Sequence, residues 1–306
     1  MQHARKIIKS AWLIGEGRWG SRIKHALDLL QVTPKVIDIR HGRSIWDVDD
    51  LDPVIIATPT HLHYDHAKHF IARGNHVLVE KPACETSAQI KKLISLRQHD
   101  QIVMPGHIYL FNKLTEKLQD IIKSGQIGEI RFVHCERTNL GTYQNRKVLL
   151  NNIALHDITL LDHLWGISSI DMSRFVDLDD DGIPDRALIL GTSGKINWQL
   201  DVSWLSAVRR RMITVAGTCG QVVWDDDKKT LTVSLTDTSR GSLDYEKLSP
   251  ISYQDDQPLM NELQHFFDCC STGQQPIVSL EDSLRISEFI SLADTQGTAF
   301  STIPNH

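Results

Sequence analysis

Residues 13–20 read LIGEGRWG, and this stretch decides how the chain is read. Gly15, Gly17 and Gly20 stand in the spacing G-x-G-x-x-G, after the strand-like run KSAWLIG (9–15) and at the head of the amphipathic run WGSRIKHALDLL (19–30). A glycine at the first position allows a tight turn. At the second it lets a pyrophosphate reach backbone N–H groups at a helix N-terminus, and at the third it allows close helix–strand packing. About 20 residues further on, Asp38 ends a second strand in VIDIR (36–40), where a ribose-binding acid is expected. The loop residues Arg18 and Trp19 join these as cofactor-side candidates. Asp38 repels a 2′-phosphate, which favours NAD over NADP; Arg40 and Arg43 lie close by and soften that repulsion.

The same rhythm continues outward. PVIIATP (53–59), HVLVEKP (76–82) and IVMPG (102–106) read as strands, with helices THLHYDHAKHFIARG (60–74) and SAQIKKLISLRQH (87–99) between them. Short β-branched runs separated by helices imply a parallel, doubly wound sheet, an α/β Rossmann domain. Ligands of such a sheet lie at the carboxyl ends of its strands. That places Thr58, Pro59, His61 and His63 on the cofactor side of the third strand, and Glu80 and Lys81 at the end of the fourth. Beyond residue 120 the pattern changes to strand candidates near 186–191, 194–204, 209–216, 220–225 and 229–234, split by turns such as TSGK and DDDKK. A helix-like stretch over 153–165 precedes them, and PLMNELQHFFDCC and SLEDSLRISEFISLA follow. The expected organisation is an NAD-binding domain over 1–120. An α+β domain with a mostly antiparallel sheet, for substrate binding and oligomerisation, follows over 121–306.

With 306 residues, 41% of them hydrophobic and 23% charged, the chain has ordinary globular composition and room for two cores. A formal net charge of −5 argues against nucleic acid as a partner. The five cysteines (Cys84, Cys135, Cys219, Cys269, Cys270) form no C-x-x-C pair and read as free thiols of a reducing cytoplasm. The start, MQHARKIIKSAWLIGEG, has basic residues before an apolar stretch but no small-residue cleavage site, and no run is long enough for a membrane helix. A cytoplasmic protein without membrane partners is expected.

The ordered motifs IGEGRWG, ATPTHLHYDHA, HVLVEKPA, SGQIGEIRFV and HDITLLDHLWG, followed by VSWL and RRRMITVAGTCGQVVWDDD, resemble the glucose–fructose oxidoreductase/inositol dehydrogenase (Gfo/Idh/MocA) family over nearly the whole chain. Within it, GRWG, VMPGHIYLFN and ERTNLG make the chain most similar to the UDP-sugar 3-dehydrogenases acting on UDP-N-acetylglucosamine-type sugars and their uronates, enzymes of polysaccharide biosynthesis. The resemblance implies NAD-linked hydride transfer at a sugar carbinol. Lys81 of EKP would contact the reacting hydroxyl, and His156 would serve as acid–base. Asn152 would position the hydroxyl, Asn139 would be a further substrate contact, and the assembly would be a homodimer or homotetramer.

That chemistry suits the residue types. A neutral imidazole can take the O–H proton near working pH, while an ammonium stabilises developing alkoxide. The chain also departs from the family pattern. Asn152 stands where an aspartate is usual four residues before the histidine, Leu155 where a proline is common, and Thr159 where an aspartate often follows; Ala154 keeps the small residue. Asparagine orients a hydroxyl but carries no exchangeable acid proton. These departures keep two alternatives in view, a dehydrogenase of a free sugar or polyol and an NAD-binding regulator that has lost catalysis.

Two metal-like patterns are set aside. DLDDDGIPD (177–185) opens like a calcium loop, but position twelve is Leu188 and strands, not helices, flank it. His61, His63, His66 and His69 approach a zinc spacing without H-E-x-x-H and read as solvated residues at a helix start, so no metal is expected. Trp204 and Trp224 lie in strand-like runs and are assigned to the core.

Overall fold

The computed structural model describes residues 8–38, 40, 42, 44–140, 149–176, 184–235, 249–251, 257–296 and 298–299. The glycine loop lies between β1 (Ser10–Ile14) and α1 (Arg18–Leu29), as its spacing requires. β1 pairs in parallel with β2 (Thr33–Ile37) and β3 (Val54–Ile56), and β4 (Val77–Glu80) and β5 (Val103–Gly106) extend the sheet in the order β2-β1-β3-β4-β5. The strands are runs of Val, Ile and Leu because both faces are covered; Leu13, Ile55, Ile56 and Val79 are fully enclosed. α2 (Thr60–Arg73) ends at Gly74, whose left-handed conformation (φ 93°) closes the helix. α3 (Ser87–Leu96) starts with a capping box between Thr86 and Gln89. The strand order reverses between β1 and β3, and this reversal opens the crevice at the strand ends.

The chain divides into two compact units, and the first is not contiguous. It comprises residues 1–111 together with 257–288. The returning segment holds α6 (Pro258–Thr272) and the first half of α7 (Leu280–Gln296). Leu280 is buried in the same core as Ile14, Phe70 and Val79, Asn261 donates to the carbonyl of Phe111 at 3.1 Å, and Arg97 makes a two-pronged ion pair with Glu281. The boundary therefore differs from a single cut at residue 120. Helical periodicity shows that a face is buried, but not against which partner.

The second unit spans 112–256 and 289–306. α4 (Lys113–Ser124) is capped by Asn112, whose side chain accepts from the Leu114 amide at 2.9 Å. A nine-stranded, mostly antiparallel sheet follows, with β6 (Ile130–Leu140) between β9 (Ile196–Ser203) and β10 (Leu205–Gly217). The β6–β9 pairing is parallel, as is that of β7 (Ser169–Val176) with the short β14 (Thr298–Ala299). β8 (Arg186–Ser193), β11 (Gly220–Asp225), β12 (Thr230–Leu235) and β13 (Ser249–Ile251) complete the sheet.

The strands β8 to β12 fall where alternation predicts. β6, β7, β13 and β14 were not legible. In β6 the inward positions include the polar Arg137 beside Val133 and Cys135, which breaks the apolar alternation. Trp204 and Trp224 are buried, in line with their assignment to the core. Leu149–Ala154 forms a π-helical turn leading into α5 (Leu155–Trp165). Most of the acidic run, 177–183, lies outside the described residues, while Asp185 is buried and its amide donates to Val176. Among the described residues no helix is long and apolar enough to cross a membrane.

Candidate dinucleotide-binding site

The three loop glycines are required for different reasons. Gly15 has φ 95°, and a β-carbon there would stand 2.9 Å from the Ala57 carbonyl oxygen. A β-carbon on Gly20 would collide with the carbonyl of Gly15, so the first turn of α1 packs directly on the loop. Gly17 differs: among the described residues no atom lies within 4 Å of where its β-carbon would be. It is also the N-cap residue of α1, without a side-chain cap and without an acid in the first turn. The initial amides and the positive end of the helix dipole are thus left to an incoming anion. Open space at Gly17 above a tightly packed turn is the shape a pyrophosphate needs, and the residues fit a dinucleotide.

Asp38 lies just past β2 and is buried. Its carboxylate accepts from the Glu16 amide (3.0 Å), the Arg40 amide (2.9 Å) and Arg40 Nε (2.8 Å), and Arg40 Nη2 reaches both Asp38 and the Glu16 carbonyl. The Arg40 guanidinium, with these amides, holds the carboxyl far below the usual carboxylate range, so Asp38 is charged. Arg43 lies outside the described residues.

At the end of β3, Pro59 and His61 are exposed and Thr58 is half-buried. His63 and His66 are buried rather than solvated, because α2 turns them toward the sheet. His63 is wedged between the carbonyls of Thr58 (2.7 Å from Nε2) and Pro82 (2.9 Å from Nδ1), and His66 Nδ1 lies 3.3 Å from Thr58 Oγ1. Burial pushes both imidazoles below their ordinary pKa. His63 is therefore a strut joining the end of β3 to the EKP turn. Among the described residues no group of three or more His, Cys, Asp or Glu is placed to hold a metal.

Glu80 closes β4 and is buried, accepting from the Trp19 indole N–H and from the Lys81 amide (3.3 Å). Burial raises its pKa to about 7 against the pull of Trp19 and Lys81. The Trp19 side chain thereby ties the first turn of α1 to the EKP segment, while Arg18 stays exposed beside it. Lys81, half-buried, precedes Pro82 through a cis peptide bond.

The remaining candidates belong to the second unit. Asn139 lies near the end of β6, Asn152 in the π-helical turn and His156 in the first turn of α5, all half-buried. Asp157, next to His156, is buried in a two-pronged ion pair with Arg137, with both contacts at 2.7 Å. Thr159 is buried and donates to the Leu155 carbonyl at 2.7 Å. The Arg137–Asp157 pair was not visible in the sequence, since the partners are 20 residues apart on a strand and a helix. The same is true of Glu262 and His107, buried in the first unit close to Glu80.

A G-x-G-x-x-G turn, an ionised acid beyond β2 and a strand-end crevice define the first unit as a Rossmann dinucleotide-binding domain. Residues 24–107 match the family model of the Gfo/Idh/MocA proteins, described as an oxidoreductase family with an NAD-binding Rossmann fold. Over those residues the chain is similar to the NAD-binding Rossmann part of the Gfo/Idh/MocA proteins. A 1-carboxy-3-chloro-3,4-dihydroxycyclohexa-1,5-diene dehydrogenase from Comamonas testosteroni is 33% identical over 97 residues, 31% of this chain and 24% of that protein. The chain spans about a quarter of the length of the first curated relatives it matches.

Two solved structures share the fold over nearly the whole chain. UDP-N-acetylglucosamine 3-dehydrogenase from Acidithiobacillus ferrooxidans is 18% identical, with a TM-score of 0.79 over 94% of this chain and 97% of its own. A 3-ketoreductase from Actinomadura kijaniata, in complex with TDP-benzene and NADP, is 17% identical, with a TM-score of 0.80 over 95% and 98%.

Proposed function

We propose that the protein is an NAD-dependent oxidoreductase that removes hydride from a secondary alcohol of a sugar, namely C3 of a UDP-N-acetylglucosamine-type sugar nucleotide or its uronate. The observation that carries this reading is the open cradle at Gly17, flanked by ionised Asp38 on one side and by Glu80-Lys81 at the end of β4 on the other. Bound NAD⁺ supplies the hydride acceptor. The chain supplies the rest. Lys81 donates to the reacting hydroxyl and stabilises negative charge as its proton leaves, and His156 receives that proton on a neutral imidazole. Asn152 hydrogen-bonds the substrate without holding a proton. NAD is favoured because the charge on Asp38 repels a 2′-phosphate, and the Arg40 guanidinium is already committed to the same carboxylate.

The test is NADH formation across a panel of UDP-sugars, free sugars and polyols, with Lys81→Met and His156→Asn as controls. Turnover with a UDP-sugar that falls by at least about 100-fold in each variant supports the assignment. Turnover that survives both substitutions overturns it. Asn152 in place of the family aspartate favours a second reading, a dinucleotide-binding regulator; cofactor binding with no turnover on the whole panel would select that one. A homodimer or homotetramer working in a reducing cytoplasm completes the proposal, in keeping with five free cysteines.

A further inference from the structure

Behind the EKP turn, in the first unit, two carboxyl groups are buried together. Glu80 ends β4; Glu262 projects from the first turns of α6 and is 1% exposed. Consecutive residues after β5 bring them close. A β-carbon on Gly106 would stand 3.3 Å from the Glu80 carboxyl carbon, and the next amide, that of His107, donates to Glu262. The two carboxyls repel each other electrostatically, and Glu262 Oε1 has no hydrogen-bond partner among the described residues. Two adjacent buried carboxylates cannot both be ionised at modest cost, so such a pair retains a proton.

Charged and titratable groups come close to the pair from several elements. Just past β4 there is Lys81, and in the first turn of α1 the neutral Trp19 indole, with Arg22 stacked over it at 5.7 Å. After β5 stands His107, which burial lowers to about 4 and keeps neutral, with Nε2 3.3 Å from Ser283 Oγ. From α7, Asp282 faces His107 and is itself paired with Arg285 at 2.9 Å. On α6, His265 is turned away, its Nε2 accepting from the Ile277 amide.

This pair lies where charge changes with the cofactor's redox state. With the pyrophosphate at Gly17 and the adenosine ribose at Asp38, the other half of a dinucleotide extends toward the ends of β3 and β4. Oxidised nicotinamide is cationic and the reduced ring is neutral. We propose that Glu80 and Glu262 share one proton beneath the nicotinamide half of the site and release it to solvent when the oxidised ring binds, so that the pair discriminates oxidised from reduced cofactor. The proposal rests on the dinucleotide reading of the glycine loop. The proton passes from the carboxyl pair to water, the pair becomes a dianion held by Lys81, the Trp19 N–H and the cationic ring, and no electrons move. Burial raises both carboxyls, Glu80 to about 7 and Glu262 well above the usual range, which puts the exchange near neutral pH.

The experiment is titration of the intact protein with NAD⁺ and with NADH, by Trp fluorescence and by calorimetry in buffers of different ionisation enthalpy, from pH 6 to pH 8. The expected result is NAD⁺ affinity rising with pH by up to about tenfold per unit, with matching proton release, while NADH affinity stays flat. In Glu262→Gln, an amide that donates to Glu80 keeps that carboxylate ionised and abolishes the NAD⁺ slope. Equal pH dependence for the two cofactors in the unmodified protein overturns the proposal while leaving the dinucleotide site intact. A slope that persists in Glu262→Gln overturns the assignment to this pair. Binding of neither cofactor overturns the site and the proposal together.

Discussion

At the residue scale, Asp38 shows how its neighbours fix the charge of one side chain. It is buried yet charged, because two backbone amides and the Arg40 guanidinium accept the role that water would otherwise fill. A 2′-phosphate placed there meets a fixed anion. Asp38→Asn removes the charge and loosens Arg40 to face the phosphate. The NADP-to-NAD affinity ratio should then rise by at least about tenfold, equivalent to about 1.4 kcal/mol, measured by paired binding titrations. An unchanged ratio would remove Asp38 from the specificity argument.

Arg137 and Asp157 make the complementary point. Their buried, two-pronged pair fixes the first turn of α5 against β6, next to His156. Breaking it by removing one partner typically costs about 3–5 kcal/mol, because the other charge is left buried. The pattern HD at 156–157 is visible in the sequence; that the aspartate is structural and faces an arginine is not.

At the element scale, the turn from β1 to α1 separates what holds the fold from what receives a ligand. Gly20→Ala drives a methyl group into the Gly15 carbonyl and forces α1 away from the loop, whereas Gly17→Ala adds a methyl group in open space. Gly20→Ala should lower the melting temperature by several degrees, for a loss of about 1–3 kcal/mol. Gly17→Ala should melt with the unmodified protein and still lose most of its NAD affinity. Thermal melts paired with cofactor titration check both, and a Gly17→Ala protein with full affinity would sink the pyrophosphate cradle.

The turn was legible because its three glycines, its preceding apolar strand and the acid at the next strand end are all local signals. β6 was not. It carries Arg131, His134, Glu136 and Arg137 within 11 residues, and its inward arginine is satisfied only by an aspartate that the tertiary structure delivers. The π-helical turn Leu149–Ala154, just ahead of and overlapping the start of the helix-like stretch 153–165, was also not legible. Its apolar residues suit α and π hydrogen bonding alike.

At the scale of the whole molecule, the first unit draws on two distant stretches. Leu280 is enclosed in the core of the five-stranded unit, and Phe266 and Leu263 of α6 are buried as well. A fragment ending at residue 120 exposes that core and lacks Glu262 beside Glu80. It should show no cooperative unfolding transition in urea, whereas residues 1–111 joined through a flexible linker to 257–288 should unfold cooperatively. A cooperative, NAD-binding 1–120 fragment would mean that the returning helices are dispensable.

By itself the sequence determined the doubly wound unit, its glycine turn, the strand-like run into the EKP segment and most of the strands of the second sheet. Each of these is written in local spacing: period two, period 3.6, or glycines at fixed offsets. Only the tertiary structure decided that residues 257–288 rejoin the first unit, that His63 and His66 are buried struts, that Arg137 holds Asp157, and that Glu80 is buried against Glu262. These depend on which faces meet. Burial and pairing arise between segments as far apart in the chain as Ile14 and Leu280, so no window of sequence contains both partners.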